Sequence, residues 1–131
     1  MKTENIEDHT MHAEVVEISE ATAAAINKAK TEGRRVIAVG TTTMRSLEGV
    51  AIIVAEFSGR ESHHQTWIEP YDGELNIFIT PGFEFKLVDA LLTNFHLPKS
   101  TLLMLVSAFA GNREFTLDCY RQAVEAEYRF Y

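Results

Sequence analysis

Seven consecutive residues, Asn94-Phe95-His96-Leu97-Pro98-Lys99-Ser100, carry an amide, an imidazole, an ammonium and a hydroxyl. The apolar run Thr101 to Val106 follows at once and must be buried, which anchors the polar segment at the edge of a core. Pro98 restricts the backbone there and suits the first position of a helix. Polar groups held rigidly where a buried element begins are what a binding or catalytic site requires. The same residues also fit a plainer account, in which Asn94 and Ser100 satisfy backbone groups at a helix start and His96 is a core histidine.

A second constellation follows a short apolar strand. Gly40-Thr41-Thr42 between a strand and a helix directs free backbone N–H groups at an anion. The threonine hydroxyls add donors, Arg45 on the first turn reaches the same ligand, and Glu48 lies on the face of Arg45 and orients it. The segment is neither a Walker loop nor a dinucleotide fingerprint, since no Gly-Lys-Thr/Ser follows and it has one glycine. A capped helix bearing a surface ion pair is the alternative. His9, His12 and Glu14 are residue types that ligate zinc or iron, but their spacing does not converge on a strand or on a helix. No cysteine supports them, and a metal ranks below a role in substrate binding or proton transfer. His63 and His64 read as plain surface.

The elements that must position these groups alternate in type. Ala13 to Ile18 is rich in β-branched residues and predicts a strand. Ser19 caps a helix from about Glu20 to Glu32, with Gly33 just beyond its end and Thr22, Ala25, Ile26 and Ala29 as its inner face. Val36 to Val39 predicts a short strand buried on both faces, so strand, helix and strand form a right-handed parallel crossover. Thr41 or Thr42 caps a helix from about Thr43 to Ala55 with Met44, Leu47, Ala51 and Val54 inside. Residues 56–73 read as a loop tolerant of insertions, followed by a strand from Leu75 to Thr80 and a Pro81-Gly82 turn. Phe83 to Thr93 fits strand and helical turn equally. Pro98 to Ala110 reads as a buried helix closed by Gly111, with a buried strand as the alternative. A last amphipathic helix runs from Asn112 to about Glu127 on Leu117, Tyr120, Ala123 and Val124, and the aromatic end to Tyr131 reads as the start of another strand.

Composition sets limits on all of this. The chain has 131 residues, 46% of them hydrophobic and 24% charged, as in ordinary soluble globular domains. No apolar stretch reaches the roughly 20 residues needed to span a bilayer, and the polar opening Met1-Lys2-Thr3-Glu4-Asn5 has no signal-peptide pattern. The lone Cys119 fits a reducing cytoplasm. A net charge of −7 opposes long-range attraction to nucleic acid, so contacts to an RNA would be local or lie elsewhere in a longer protein.

Three separated segments resemble, in order, those of the S-adenosylmethionine:tRNA ribosyltransferase-isomerases of queuosine biosynthesis. They are His9-Thr10-Met11-His12-Ala13-Glu14; Val39-Gly40-Thr41-Thr42-Thr43-Met44-Arg45-Ser46-Leu47-Glu48; and Asn94 to Ser107, preceded by Pro81-Gly82-Phe83-Glu84-Phe85-Lys86 and Val88-Asp89-Ala90-Leu91. Two mild departures, Thr43 for serine and Ser46 for threonine, separate the chain from the usual pattern. The resemblance implies an α/β fold: a parallel or mixed sheet built from βαβ units with flanking helices, part of a larger barrel-like catalytic domain. Because the family's chains are longer and include a β-rich second domain, residues 1–131 are expected to be a single fragment of the catalytic domain, inactive alone.

The resemblance also implies a reaction. The ribosyl group of S-adenosylmethionine moves to 7-aminomethyl-7-deazaguanine in a tRNA anticodon, adenine and methionine leave, and rearrangement gives epoxyqueuosine. A base must take the proton that the sulfonium acidifies, and an acid must assist the departure of adenine. His96, His9 and His12 are the candidates, in no fixed order. Glu14, Gly40, Thr41, Thr42, Arg45, Glu48, Asn94, Lys99 and Ser100 are the expected substrate-binding residues, Lys99 meeting a phosphate and Asn94 a base edge or hydroxyl. Phe83, Phe95 and Tyr71 are stacking surfaces for a splayed base or, equally, core. S-adenosylmethionine is the co-substrate, no cofactor is bound permanently, and the partners are a tRNA with a queuosine-type anticodon and the rest of a longer chain. Two other readings remain open: a small α/β enzyme for a nucleotide or sugar phosphate, and a non-catalytic tRNA-binding module.

Overall fold

The computed structural model describes residues 13–57, 66–77, 79–80, 82–97 and 100–129. Two compact units divide the chain, one built from residues 11–77 and 85–92 and the other from 1–10, 78–84 and 93–131. Together their elements are a mixed α/β set, as the sequence predicts.

The first unit holds two two-stranded sheets. Strand β1 (Glu14–Ile18) buries Val16 and Ile18 and exposes Val15 and Glu17, the period-two pattern of a half-buried strand. It pairs antiparallel with β3 (Tyr71–Leu75), Val16 opposite Gly73. Strand β2 (Ile37–Val39) pairs parallel with β4 (Ala90–Leu92). The expected crossover of β1 and β2 within one sheet therefore does not form. The alternating strands β1 and β3, each with one wet face, suit an antiparallel pair. Burial of β2 on both faces is also corrected. Ala38 is fully buried, but Ile37 is 54% exposed, and Val39 and its partner Leu92 are each 64% exposed.

The predicted strand from Leu75 to Thr80 is corrected: β3 ends at Leu75, residues 76–77 and 79–80 are not strand, and the pairing runs instead through Asp72-Gly73, which the sequence places in a loop. Gly73 can lie in a strand because the Tyr71 ring covers it: a Cβ there would meet Tyr71 Oη at 3.3 Å, and that hydroxyl donates to Glu74 O at 2.9 Å. Helix α1 (Glu20–Thr31) starts at Ser19, whose Oγ accepts from Thr22 N at 3.1 Å. Its inner face is rotated from the predicted one. Ala23 is buried and Ile26, Asn27, Ala29 and Lys30 are half-buried, while Thr22 and Ala25 are exposed. Asn27 explains the rotation: Nδ2 donates to Ile68 O at 2.7 Å and Oδ1 accepts from Trp67 N at 3.0 Å and Ile68 N at 3.2 Å. The end of the supposed loop is thus pinned to α1, with Ile68 fully buried.

Helix α2 (Thr41–Phe57) begins two residues before its predicted start, with Gly40 rather than a threonine at the capping position. Gly40 has φ 94°, which disfavours any residue with a Cβ, and its carbonyl accepts from Met44 N at 3.2 Å. The predicted stripe of Met44, Leu47, Ala51 and Val54 is buried, and so is Gly49, where a Cβ would lie 2.9 Å from Leu75 Cδ1. Glu48 is fully buried on the same helix. Its carboxylate accepts from Lys86 N at 2.8 Å, Leu87 N at 3.0 Å and Val88 N at 2.8 Å. Those three bonds fix the bent 86–88 segment that delivers β4. Asp89 continues the work, its Oδ2 accepting from Val36 N at 2.8 Å while Lys30 Nζ lies 3.3 Å away. The Val36 N–H, helped by Lys30, holds the Asp89 carboxyl below the usual carboxylate range against the opposing effect of burial.

In the second unit Gly82 (φ 93°) forms a turn in which Phe83 N donates to Thr80 O at 3.1 Å. Helix α3 (Thr101–Ala110) settles the helix-or-strand ambiguity and ends at Gly111 in the left-handed region, φ 74°. Only Leu105 and Ser107 of α3 are buried, so the helix is half-buried instead of enclosed. Helix α4 (Arg113–Glu125) packs on it, capped by Asn112, whose Oδ1 accepts from Phe115 N at 3.0 Å. Its buried positions are Thr116 and Ala123, whereas Leu117 and Val124, predicted inside, are exposed. No strand follows among the described residues. Glu127 turns left-handed (φ 62°) and Tyr128 N closes back on Ala123 O at 3.0 Å, a helix terminator that overrides the aromatic alternation. No described helix is long and apolar enough to cross a membrane.

Candidate functional site

In the first unit, α2 faces β1 through Arg45. The Arg45 guanidinium, 13% exposed, pairs through Nη2 with Glu14 Oε1, and Arg45 Nε is buried without a partner among the described residues. The predicted arrangement, in which Glu48 orients Arg45, is replaced. Glu48 turns to the 86–88 backbone, and Glu14, thirty-one residues before Arg45, takes its place. A shallow cleft, open to solvent, lies beside this pair, lined by Glu14, Val16, Arg45, Ser46, Leu75 and Ile77. It is charged at one end and apolar along Val16, Leu75 and Ile77.

The predicted anion loop is only partly free. Gly40 N donates to Leu92 O at 2.8 Å, which commits that N–H to the β2–β4 ladder. Thr41 is buried; Thr42 is exposed, and its carbonyl accepts from Ser46 Oγ at 2.8 Å. What the helix start retains is the pair of exposed residues Thr42 and Thr43 on the first turn of α2.

In the second unit the structure encloses His96, which is 2% exposed. Its backbone N–H donates to Tyr120 Oη at 3.0 Å, its Nε2 lies 3.4 Å from Thr93 Oγ1, and its buried Nδ1 has no partner among the described residues. Burial pushes its pKa below the ordinary histidine value, so the ring is neutral at pH 7. Burial likewise pushes the Tyr120 phenol up, against the opposing His96 N–H. Phe95 meets Tyr120 edge-on, ring centres 5.2 Å apart, and Tyr128 at 5.7 Å. The sequence names Tyr120 only as an inner-face residue of the last helix and does not name Thr93, because a tyrosine on a helix and a threonine after a strand carry no site signal of their own.

Asn94 is exposed and donates from Nδ2 to Phe95 O at 2.8 Å. Ser100 caps α3, its Oγ accepting from Leu103 N at 3.1 Å. Ser100→Ala should lower stability by about 1 kcal/mol, read as a shift of the denaturant midpoint. A loss of substrate affinity larger than that shift explains would give the hydroxyl a second role. His9, His12 and Lys99, like His63 and His64, lie outside the described residues. Among the described residues no group of three metal-ligating side chains gathers.

The family profile described as "Queuosine biosynthesis protein" matches residues 1–131. The chain is similar to the S-adenosylmethionine:tRNA ribosyltransferase-isomerase of Natranaerobius thermophilus, 52% identical over all 131 residues, and to that of Carboxydothermus hydrogenoformans, 53% identical over the same span. In both cases it spans 35% of the relative's length. Its fold is similar to the crystal structure of S-adenosylmethionine tRNA ribosyltransferase from Thermotoga maritima, with a TM-score of 0.73 and 46% identity, covering 88% of this chain and 36% of that one.

Proposed function

Because the chain belongs to the queuosine biosynthesis protein family, we propose that it supplies part of the catalytic domain of an S-adenosylmethionine:tRNA ribosyltransferase-isomerase. The observation that carries this reading is the 52–53% identity over every residue of the chain to proteins of that name. The substrates are S-adenosylmethionine and a tRNA bearing 7-aminomethyl-7-deazaguanine in its anticodon, and the product is epoxyqueuosine, formed with loss of adenine and methionine. The place of work is the cytoplasm, where such tRNAs are modified, and no permanent cofactor takes part.

Proton transfer falls to histidine. A neutral imidazole is ready to accept the proton that the sulfonium acidifies, and burial keeps His96 neutral. Its buried Nδ1 has no hydrogen-bond partner among the described residues. His9 and His12 remain candidates for the acid that assists adenine. Arg45, Glu14, Thr41, Thr42 and the α2 N-terminus are the substrate-binding candidates of the first unit; Asn94, Lys99 and Ser100 are substrate-binding candidates by the family resemblance. Glu48 supports this arrangement from beneath, by fixing the 86–88 backbone.

The test is direct. The complete polypeptide that carries these residues, given S-adenosylmethionine and the precursor tRNA, should yield epoxyqueuosine nucleoside by mass spectrometry together with free adenine and methionine. The 131-residue chain alone should yield none, since it spans about a third of the length of its relatives. Absence of product from the complete polypeptide would overturn the reading; product from the chain alone would overturn the need for the remainder.

A further inference from the structure

We propose that the Glu14–Arg45 cleft binds a zwitterionic α-amino-acid end, and that in this protein it takes the methionyl end of S-adenosylmethionine. The proposal rests on the reading above that S-adenosylmethionine is a substrate. Two observations carry it. The cleft presents both charges side by side, a carboxylate and a guanidinium, and apolar walls from Val16, Leu75 and Ile77. Among the described residues Arg45 Nε is a buried donor with no acceptor, and Glu14 Oε2 has no partner.

Charge decides which end. A phosphate dianion at Arg45 would lie against the Glu14 carboxylate, a like-charge contact that disfavours it. An amino-acid end is neutral overall and complementary to the pair. Its ammonium meets Glu14 and its carboxylate meets Arg45, including the unpartnered Nε. One internal ion pair is then exchanged for two that are charge-assisted, and a buried N–H gains its acceptor. The short aliphatic chain lies along Val16, Leu75 and Ile77, leaving the sulfonium and ribose outside the cleft. No covalent change occurs at this site.

Calorimetric titration of the complete polypeptide tests the proposal with three ligands: S-adenosylmethionine, its decarboxylated form, and 5′-methylthioadenosine, which lacks the amino-acid end. On the unaltered protein, loss of the carboxylate should weaken binding roughly ten- to hundredfold. Arg45→Lys should weaken S-adenosylmethionine by a similar factor, should abolish the preference over the decarboxylated form, and should leave 5′-methylthioadenosine within about twofold. Glu14→Gln should weaken both ammonium-bearing ligands and spare 5′-methylthioadenosine. Unchanged binding of that last ligand shows that a variant is folded, and the comparison on the unaltered protein needs no variant. Equal affinity for S-adenosylmethionine and its decarboxylated form would overturn the proposal while leaving the enzymatic reading intact. Failure of the unaltered protein to bind any of the three would overturn both.

Discussion

Glu48→Ala should be the most damaging single substitution in the first unit, lowering stability by about 3–5 kcal/mol. The side chain is fully buried, and its carboxylate accepts three consecutive backbone N–H groups, from Lys86, Leu87 and Val88. Removing it leaves these donors without their acceptor and opens a void on α2, in a segment where Leu87 is itself fully buried. Glu48→Gln is close in shape but turns an NH2 toward N–H groups that need an acceptor, so it should recover only part of the loss. Denaturant unfolding of both variants beside the unaltered chain measures this. A shift below about 1 kcal/mol for Glu48→Ala, the size of a single ordinary hydrogen bond, would show that the 86–88 backbone does not depend on the carboxylate. Because β4 follows directly, amide exchange at Ala90 to Leu92 should quicken in the same variants.

His96→Gln should lower turnover of the complete polypeptide by roughly 10²–10⁴-fold if the imidazole moves a proton, with folding preserved. The side chain is 2% exposed, so packing must be separated from chemistry, and pH does this. Desolvation lowers the His96 pKa in the folded protein below its unfolded value of about 6.5. Between those two values the unfolded chain binds more protons than the folded one, so stability rises with pH. Stability is therefore full above about 6.5 and falls as pH drops from there toward the lowered folded value. His96→Gln should remove this contribution to the slope. A variant whose turnover falls only as far as its melting temperature explains would return His96 to a packing role, with the buried Nδ1 as a cost of the fold.

Local chemistry was legible in the residues themselves. Ser19, Ser100 and Asn112 cap helices because a hydroxyl or amide beside the first turn meets an orphan N–H whatever the tertiary context. Gly33 and Gly111 stop helices because the left-handed region costs them little. The stripe Met44, Leu47, Ala51 and Val54 was readable from its period. The resemblance carried by three ordered motifs pointed to the family that the whole chain matches. Strand partnership was not readable, since a short strand's sequence states its faces and not its neighbour, and β1 chose β3 over β2. Neither was the fate of long-range polar groups. Asn27 held a backbone forty residues away, and Glu48 left the neighbour on its own helix for N–H groups in another segment. Arg45 found Glu14 across the fold for the same reason. A helix period places charges on a shared face, but which of them meet is decided by where the rest of the chain brings an unsatisfied donor or acceptor, and only the tertiary structure does that.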